Sequence, residues 1–268
     1  MNKDTLKSLI EETNRQAEKS ADRNKDLAES VVCPVCGKSF RPSFEGQDYC
    51  SVICAKIHEK GENIWNSEQA QIEFMSHWKR LFELAGEDSE RPGLIESPKR
   101  ILKMWQEVFE GNTYSNDEIA EMNNKCFDDF DDSGEPDWFD GMVVMRDIPV
   151  FSHCEHHATL MYNAKVNVGY IPKGKVIGLS KMARIADMVS KRFQLQERIG
   201  NDIRYILSKI VETEDVIVVI EAEHGCMTAR GIKKPGTTTV TASLGGVFST
   251  EPETRNEFYS ALKVGAGR

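Results

Sequence analysis

Long apolar runs are absent from this sequence: no stretch of about 18 consecutive apolar residues, the length of a membrane-spanning helix, occurs in it. The first residues, MNKDTLKSLIEETNRQ, are charged from the third position, which excludes the apolar segment of a secretory signal peptide. We therefore expect a cytoplasmic protein. Thiols stay reduced in that compartment, so the seven cysteines are expected to be metal ligands or core residues rather than disulfides.

An excess of positive charge is also missing. The formal net charge is −9 at pH 7, which argues against general nucleic-acid binding, because that activity usually comes with a basic surplus. Internal repeats are absent as well. The 268 residues are nevertheless enough to bury a large core, as one large domain or two smaller ones.

The region 142–250 lacks the alternating strand–helix order of a parallel sheet. Its β-branched runs predict two strands before and two strands after a pair of helices at 180–193 and 195–212. The strand segments are MVVMRDIPVF, AKVNVGYIP, DVIVVIEAEHGCMTARG and GTTTVTASLGGVF. This order predicts an α+β fold in which an antiparallel sheet carries helices on one face.

Composition divides the chain into three parts. Residues 1–30 are polar and are predicted to form a helical or disordered arm. Residues 31–62 hold four of the seven cysteines, and residues 67–268 form the large remaining domain.

Two helices are predicted at the start of the large domain. The segment SEQAQIEFMSHWKRLFELAG repeats apolar residues at helical spacing, and a second helix begins with Ser97 as N-cap and Pro98 at the first helical position. On that second helix Arg100 and Lys103 share one face. The following stretch, 117–140, contains ten acidic residues and one lysine and is predicted to be a mobile solvated loop.

Metal-binding and proton-transfer residues are concentrated in the motif FSHCEHHA. Cys154 and His157 have a spacing that lets one ion bind both, and in the distant motif EHGC the strand period puts His224 and Cys226 on one face. Two thiolates and one imidazole suit tetrahedral Zn²⁺ and leave one position for water, as in a catalytic site. His156 and His224 are then candidates for general acid and base. The alternative, small core cysteines beside surface histidines, suits each cysteine alone better than it suits all five residues.

Basic residues cluster between 173 and 198, a segment that contains seven lysines and arginines but only two acidic residues. Lys181 and Arg184 are three residues apart near the N-terminus of a helix that Ser180 is predicted to cap, where free N–H groups favour anions. Arg230 follows the EHGC motif. An anionic substrate with several phosphates would suit this patch, although each charge alone is typical of a solvated surface.

Four motifs together resemble the GTP cyclohydrolase I family from about residue 68 to the end: ESPKRILKMW, CEHH, GYIPKGKVIGLSKMARIADMVSKRFQLQERIG and EAEHGCMTARGIKKPGTTTVTASLGGVF. The resemblance implies a tunnelling fold, an antiparallel four-stranded sheet with two helices, preceded by N-terminal helices. It also implies a homodecamer of two pentamers with active sites at subunit interfaces. The family's reaction opens the imidazole ring of GTP at C8, releases formate and closes a pterin ring to give 7,8-dihydroneopterin triphosphate.

The resemblance implies a role for each matching residue. Cys154, His157 and Cys226 would hold the zinc whose water attacks C8. His156 and His224 would move protons, and Ser180 would lie near the ribose-derived chain. Glu197 would accept hydrogen bonds from guanine N1–H and the 2-amino group, because a carboxylate offers two acceptor oxygens, and Gln196 beside it would also bind substrate. The triphosphate would be bound by Lys181, Arg184 and Arg230, with Arg100 and Lys103 reaching it from a neighbouring subunit.

The departures from the family pattern lie outside these residues. Asn163-Ala164 stand where the family usually has a glycine, the acidic stretch is longer than usual, and Ser97 stands where threonine is commoner. We expect them to affect turn geometry and regulation more than chemistry.

The N-terminal cysteines form a second metal motif. Their C-x2-C and C-x3-C pairs, 13 residues apart, are typical of a structural four-cysteine zinc site and resemble treble-clef fingers. The ligands would be Cys33, Cys36, Cys50 and Cys54. A module this small needs the metal for its folding energy. Unpaired reduced cysteines are the alternative, and the finger's partner, whether nucleic acid, protein or none, is not readable from the sequence.

Three functional hypotheses follow from the sequence. The leading one is a complete GTP cyclohydrolase I with two zinc ions; the others are a GTP-binding relative that stops at a ring-opened intermediate and a non-catalytic zinc-finger adaptor. The intact ligand set and Glu197 favour the first. The downstream pathway, whether folate, biopterin or deazaguanine synthesis, is not encoded in the motifs.

Overall fold

A computed structural model describes residues 30–32, 39–40, 67–127 and 141–264. The chain divides into two units, Met1–Gln71 and Ile72–Arg268. In the first unit, strands β1 (Val31–Val32) and β2 (Ser39–Phe40) pair antiparallel. The four predicted finger ligands, Cys33, Cys36, Cys50 and Cys54, lie outside the described residues.

Two helices precede the sheet, as the sequence predicts. They are α1 (Glu68–Leu84) and α2 (Ser97–Val108). The predicted cap of α2 is wrong by one residue: Glu96 holds the N-cap position, and the Ser97 hydroxyl instead donates to the carbonyl of Gly93 at 3.4 Å. A short 3₁₀ turn, Glu110–Thr113, follows α2.

An aromatic cluster joins these helices to the sheet. In it, the Trp105 ring lies 6.3 Å from Trp78 and 4.8 Å from Phe109 between centroids. Phe109 stacks on Phe193 at 4.1 Å and lies 4.8 Å from the ring of His153. Offset and edge contacts of this kind are favourable for aromatic rings, so the cluster fixes α2 against the strand that carries His153.

The acidic stretch is not entirely a loop. Helix α3 (Asn116–Asn123) occupies its beginning, because Ser115 and Glu118 form a capping box and Ile119 is buried. Strand β3 (Cys126–Phe127) follows and pairs with β6 (Val176–Ile177). The prediction of a loop is therefore wrong for α3 and β3, and its remaining part, residues 128–140, lies outside the described residues.

The main sheet contains the four predicted antiparallel strands and one more. The long strands are β4 (Val143–Cys154), β5 (Leu160–Tyr170), β8 (Val216–His224) and β9 (Thr238–Leu244). A two-residue strand, β7 (Phe193–Gln194), pairs parallel with the end of β4, so the sheet order is β7-β4-β5-β8-β9. The prediction of four strands is therefore wrong by one. The helical spacing of apolar residues had placed Phe193 at the end of the preceding helix, whereas it begins β7.

Two helices cover one face of this sheet. They are α4 (Leu179–Ser190) and α5 (Gln196–Val211), and their buried Ile185, Ile203 and Leu207 belong to one core with Val166 and Val218 of the strands. The predicted N-cap of α4, Ser180, is wrong. Gly178 is the N-cap and Ser180 lies within the first turn without a capping hydrogen bond.

A smaller core lies on the opposite face of the sheet. Three short helices follow the last strands: α6 (Gly225–Thr228), α7 (Val247–Thr250) and α8 (Pro252–Ala261). Phe248 and Phe258 pack with Ile217 and Val219. Helices therefore cover both faces in part, not one alone. The mixed α+β class is confirmed.

None of the helices in the described part of the chain has the length and apolarity that crossing a membrane requires.

Candidate active site

The turn after β4 positions the first two predicted ligands. Cys154 ends the strand, and its N–H donates to the carbonyl of Thr159 at 2.8 Å. The N–H of Ala158 returns to the carbonyl of Cys154 at 2.9 Å, with Ala158 in the left-handed region at φ 51°. The tight reversal brings His157 back over Cys154, and Cys154 Sγ lies 3.9 Å from His157 Nδ1.

The third predicted ligand arrives from β8. Ligand atoms of Cys154, His157 and Cys226 all lie within 4.8 Å of one another. Tetrahedral Zn²⁺ with two thiolates and one imidazole requires ligand separations of roughly 3.5–3.8 Å. Small side-chain movements reach that geometry, so the donor set fits zinc. Cys154 is buried and His157 is exposed, which leaves one side of the cluster open to solvent.

The route by which Cys226 reaches the cluster differs from the sequence argument. Strand β8 ends at His224, and Cys226 lies in the short helix α6, so the two side chains do not share a strand face. Gly225 lets this segment approach strand β5 closely, because a Cβ there would lie 3.0 Å from the carbonyl oxygen of Leu160. Burial raises the pKa of the Cys226 thiol, and the neighbouring Cys154 raises it further.

His224 is held by a buried glutamine. Its Nε2 lies 2.8 Å from Oε1 of Gln196, whose residue is only 2% exposed. The Gln196 amide nitrogen donates to the carbonyls of Ile220 and Thr239, both at 3.0 Å. Carbonyls only accept, so the amide oxygen must face His224, and His224 carries its proton on Nε2. Nδ1 is then the free acceptor.

Two opposing effects act on the pKa of His224. Burial lowers the pKa, and the nearby charge of Glu197 raises it, with burial prevailing. The imidazole is therefore neutral at pH 7, the form that accepts a proton.

The remaining predicted chemical residues are exposed. His156 lies in the turn, Ser180 in the first turn of α4 and Glu197 in the first turn of α5. Gln196, the neighbour of Glu197, differs because both ends of its side-chain amide are hydrogen-bonded within the protein. The amide of Gln196 is thus occupied by other partners, unlike the carboxylate of Glu197.

The basic residues between 173 and 198 fall into two groups, those that form an ion pair and those that do not. Five of the seven form ion pairs with an acidic side chain: Lys173, Lys175, Lys191, Arg192 and Arg198. Within the described residues, Lys181 and Arg184 have neither an ion pair nor a side-chain hydrogen bond recorded, and the same holds for Arg230. Arg100 and Lys103 are likewise exposed on α2. These are the basic residues that the sequence assigned to phosphate.

Some side-chain contacts were not visible in the sequence. A carboxylate–guanidinium pair joins Glu155 to Arg198, and the Glu223 carboxylate accepts hydrogen bonds from Tyr162 and Asn163. Asn163 has φ 50° at a bulge in β5, which explains how asparagine serves where the resembled family has glycine. The charges of Glu155, Arg198 and Glu223 can be read from the sequence, but their hydrogen-bond partners cannot.

A cavity of about 490 Å³ opens elsewhere on the sheet and is lined by Phe151, Lys165, Glu221 and Glu223 among others. None of the predicted site residues lines it. Its lysine already lies 3.4 Å from Glu221, so the cavity is poorly suited to a polyphosphate.

Known proteins similar to this chain share the region that contains the cluster. The family model described as GTP cyclohydrolase I matches residues 74–263. GTP cyclohydrolase 1 of Clostridium botulinum (strain Hall) is 58% identical over 181 residues, which cover 68% of this chain and 91% of the relative.

Two further relatives, both also called GTP cyclohydrolase 1, agree. That of Clostridium acetobutylicum is 55% identical over 176 residues, 65% of this chain and 88% of the relative. That of Clostridium beijerinckii is 54% identical over 178 residues, 66% of this chain and 89% of the relative. The family match begins after the four N-terminal cysteines.

Proposed function

The chain belongs to the GTP cyclohydrolase I family and is an enzyme of that class, and on this premise we propose which of its residues perform the reaction. The reaction opens the imidazole ring of GTP at C8 by hydrolysis, releases formate and closes the product to 7,8-dihydroneopterin triphosphate. The observation that carries the proposal is the cluster of Cys154, His157 and Cys226 within 4.8 Å.

This cluster is the proposed catalytic zinc site. Two sulfur donors and one nitrogen donor match the preferences of Zn²⁺, and three protein ligands leave a coordination position open. When bound, the ion supplies Lewis-acid chemistry that makes water nucleophilic near neutral pH. His157 is exposed, so this side of the cluster is open and is the proposed side of substrate approach.

His224 and His156 are the proposed proton-transfer residues. His224 is neutral because burial lowers its pKa, and its Nε2–H is engaged by Gln196, so Nδ1 accepts the proton. His156 lies on the exposed turn beside the metal ligand His157 and is free to exchange protons with solvent. Ser180 is proposed to contact the ribose-derived chain from the start of α4.

Glu197 is the proposed guanine-binding residue. Its exposed carboxylate offers two acceptor oxygens for the two adjacent donors of guanine, N1–H and the 2-amino group. For Gln196 we propose a positioning role in place of direct substrate contact, because its amide is committed to His224 and two backbone carbonyls.

The triphosphate is proposed to bind the unpaired basic residues. Lys181 and Arg184 lie in the first turns of α4, where the helix dipole also favours anions, and Arg230 follows α6. Arg100 and Lys103 would complete the site from a neighbouring subunit. This arrangement rests on the proposed tunnelling fold and homodecamer of two pentamers, in which α2 of one chain borders the site of the next.

A structural zinc site is proposed in the N-terminal region 31–62, with a polar arm at 1–30 before it and the catalytic domain at 67–268 after it. The support is the ligand spacing of its four cysteines and the antiparallel pair β1–β2, which brackets the first two in sequence.

The test is to incubate the purified protein with GTP and assay formate and, after oxidation and phosphatase treatment, fluorescent neopterin, with zinc counted per chain. Formate with neopterin and about two zinc ions per chain is the expected result. Formate without neopterin would indicate an enzyme that stops early. A zinc-loaded, assembled sample that yields neither product would overturn the proposal.

A further inference from the structure

A two-pronged ion pair spans the site beside the metal cluster. Arg198 Nη1 donates to Glu155 Oε2 at 2.5 Å, and Nη2 donates to Oε1 at 3.1 Å. Both prongs of the guanidinium are used, which fixes the relative orientation of the two planar groups as well as their distance. These two hydrogen bonds connect the turn after β4 directly to helix α5.

Each end of the pair adjoins a residue of the proposed chemistry. Glu155 lies between the metal ligand Cys154 and the proton-transfer residue His156. Arg198 directly follows Glu197, the proposed guanine-binding carboxylate. The pair therefore links the part of the site that acts on C8 with the part that holds the base.

The helix end of the pair rests on a rigid base. Arg198 Nη1 also lies 3.5 Å from Oε1 of Gln194, a fully buried residue whose amide nitrogen donates to Asp202 at 3.2 Å. Asp202 in turn accepts from Arg192 at 3.2 Å. The turn at the other end is exposed, and the N–H of Glu155 donates to the carbonyl of Gln194 at 3.1 Å, so the pair adds a side-chain link between the turn and this base.

We propose that Glu155 and Arg198 are positioning residues that set the distance between the metal-ligand turn and Glu197, and so place C8 of the bound base at the metal. The inference rests on the proposed function. Neither residue need touch substrate for this role.

The role separates catalysis from folding. Glu155 and Arg198 are 30% and 43% exposed in their side chains, and exposed ion pairs contribute little to stability. Loss of the pair should leave α5 and its Glu197 in place, since Ile199 and Ile203 of that helix are buried in the core. Substrate binding then persists while the alignment of C8 is lost.

The experiment compares Glu155→Gln, Arg198→Gln and the double variant with the wild type in the zinc-loaded full-length protein. We expect each single variant to lower kcat for formate release at least about tenfold, with KM for GTP within about twofold of wild type. Zinc content and Tm should match the wild type. The double variant should fall no further than the worse single variant, because both act through one pair.

A matched control is Lys209→Gln, which breaks the ion pair with Asp117 at the far end of α5. That pair is comparably exposed, 46% and 50%, and its loss should leave kcat unchanged. The inference is overturned if the single variants keep wild-type kcat, if their losses add in the double variant, or if zinc or Tm falls together with kcat. A wild-type protein without formate release would overturn the proposed function, and this inference with it.

Discussion

Gln196 and Glu197 are adjacent in the chain and have opposite surroundings. The first is buried with its amide fully hydrogen-bonded, and the second is exposed with a free carboxylate. At the N-terminus of a helix, consecutive residues point in different directions, so one can serve the protein and the other the substrate. The two residues therefore predict distinguishable consequences of substitution.

Replacing Gln196 with leucine should affect both stability and turnover. The carbonyls of Ile220 and Thr239 lose their buried donor, so we expect the free energy of unfolding to fall by about 2–3 kcal/mol. His224 loses the acceptor that sets its tautomer, which should lower kcat. Denaturant unfolding and steady-state kinetics measure the two effects.

The comparison variant for that prediction is Glu197→Gln. Because Glu197 is exposed and unpaired, its loss should leave the unfolding free energy unchanged and raise KM for GTP. Equal stability losses in the two variants would contradict the assigned division of roles.

Cys226→Ser should abolish turnover and lower the zinc content by one ion per chain. A hydroxyl is a poor zinc ligand, and the change leaves the fold almost untouched because the side chain is small and partly exposed. Circular dichroism, zinc analysis and formate assay check the three parts. Retained activity in a sample of verified metal content would refute the zinc assignment.

At the scale of elements, one buried carboxylate, that of Asp215, links the start of β8 to the start of α7. Asp215 is 7% exposed in its side chain; it accepts from the N–H of Val247 at 2.9 Å and pairs with Lys173 at 2.8 Å. The chain approaches so closely that a Cβ at Gly246 would lie 2.0 Å from the carboxylate. Gly246 also has a positive φ, 49°, so only glycine fits both demands.

This carboxylate should make stability depend on pH in acid. Burial alone would raise the pKa of Asp215, but the hydrogen bonds and the lysine outweigh burial and lower it. A depressed pKa in the folded state gives stability that is present above the unfolded value, about 3.9, and is lost as pH falls through the folded value. Asp215→Asn should thus lower Tm most at neutral pH.

The measurement is Tm of the wild type and of Asp215→Asn from about pH 7 down to about pH 3. The two curves should approach each other in acid, where both side chains are neutral. A difference in Tm that is independent of pH would show that the asparagine acts through packing and not through charge.

Elements with a long pattern were predictable, and those set by distant contacts were not. The β-branched runs located β4, β5, β8 and β9, and helical periodicity located α1, α4 and α5. The two-residue β7 exists because the N–H of Glu155 bonds the carbonyl of Gln194, a contact that no local pattern encodes. Likewise, donor chemistry identified the three donor residues that cluster, whereas the helical position of Cys226 and the pairing of Glu155 with Arg198 depend on the assembled sheet.

At the scale of the whole molecule, the proposed assembly makes the site depend on more than one chain. Arg100 and Lys103 lie exposed on α2, and within the described residues no hydrogen bond or ion pair links them to the metal cluster or to Lys181. In the proposed assembly these two cations would bind the triphosphate at the site of a neighbouring subunit.

Subunit mixing tests this sharing. Cys226→Ser and Arg100→Ala should each be nearly inactive alone, whereas co-assembled mixtures should regain activity at sites that take the metal ligands from one chain and α2 from the other. An equal random mixture would recover about a quarter of the wild-type sites. The control mixes the two proteins after assembly, without subunit exchange. No recovery in verified hetero-oligomers would refute the shared site.

The aromatic cluster has an optical consequence. Trp105 contacts Phe109, whose ring contacts His153, the residue before the proposed metal ligand Cys154. Any displacement of that strand end when the ligands close around an ion alters the surroundings of the indole ring. The protein thus carries an intrinsic fluorophore in contact with the strand that leads to the proposed metal site, and its emission spectrum is expected to report occupancy of that site without an added dye.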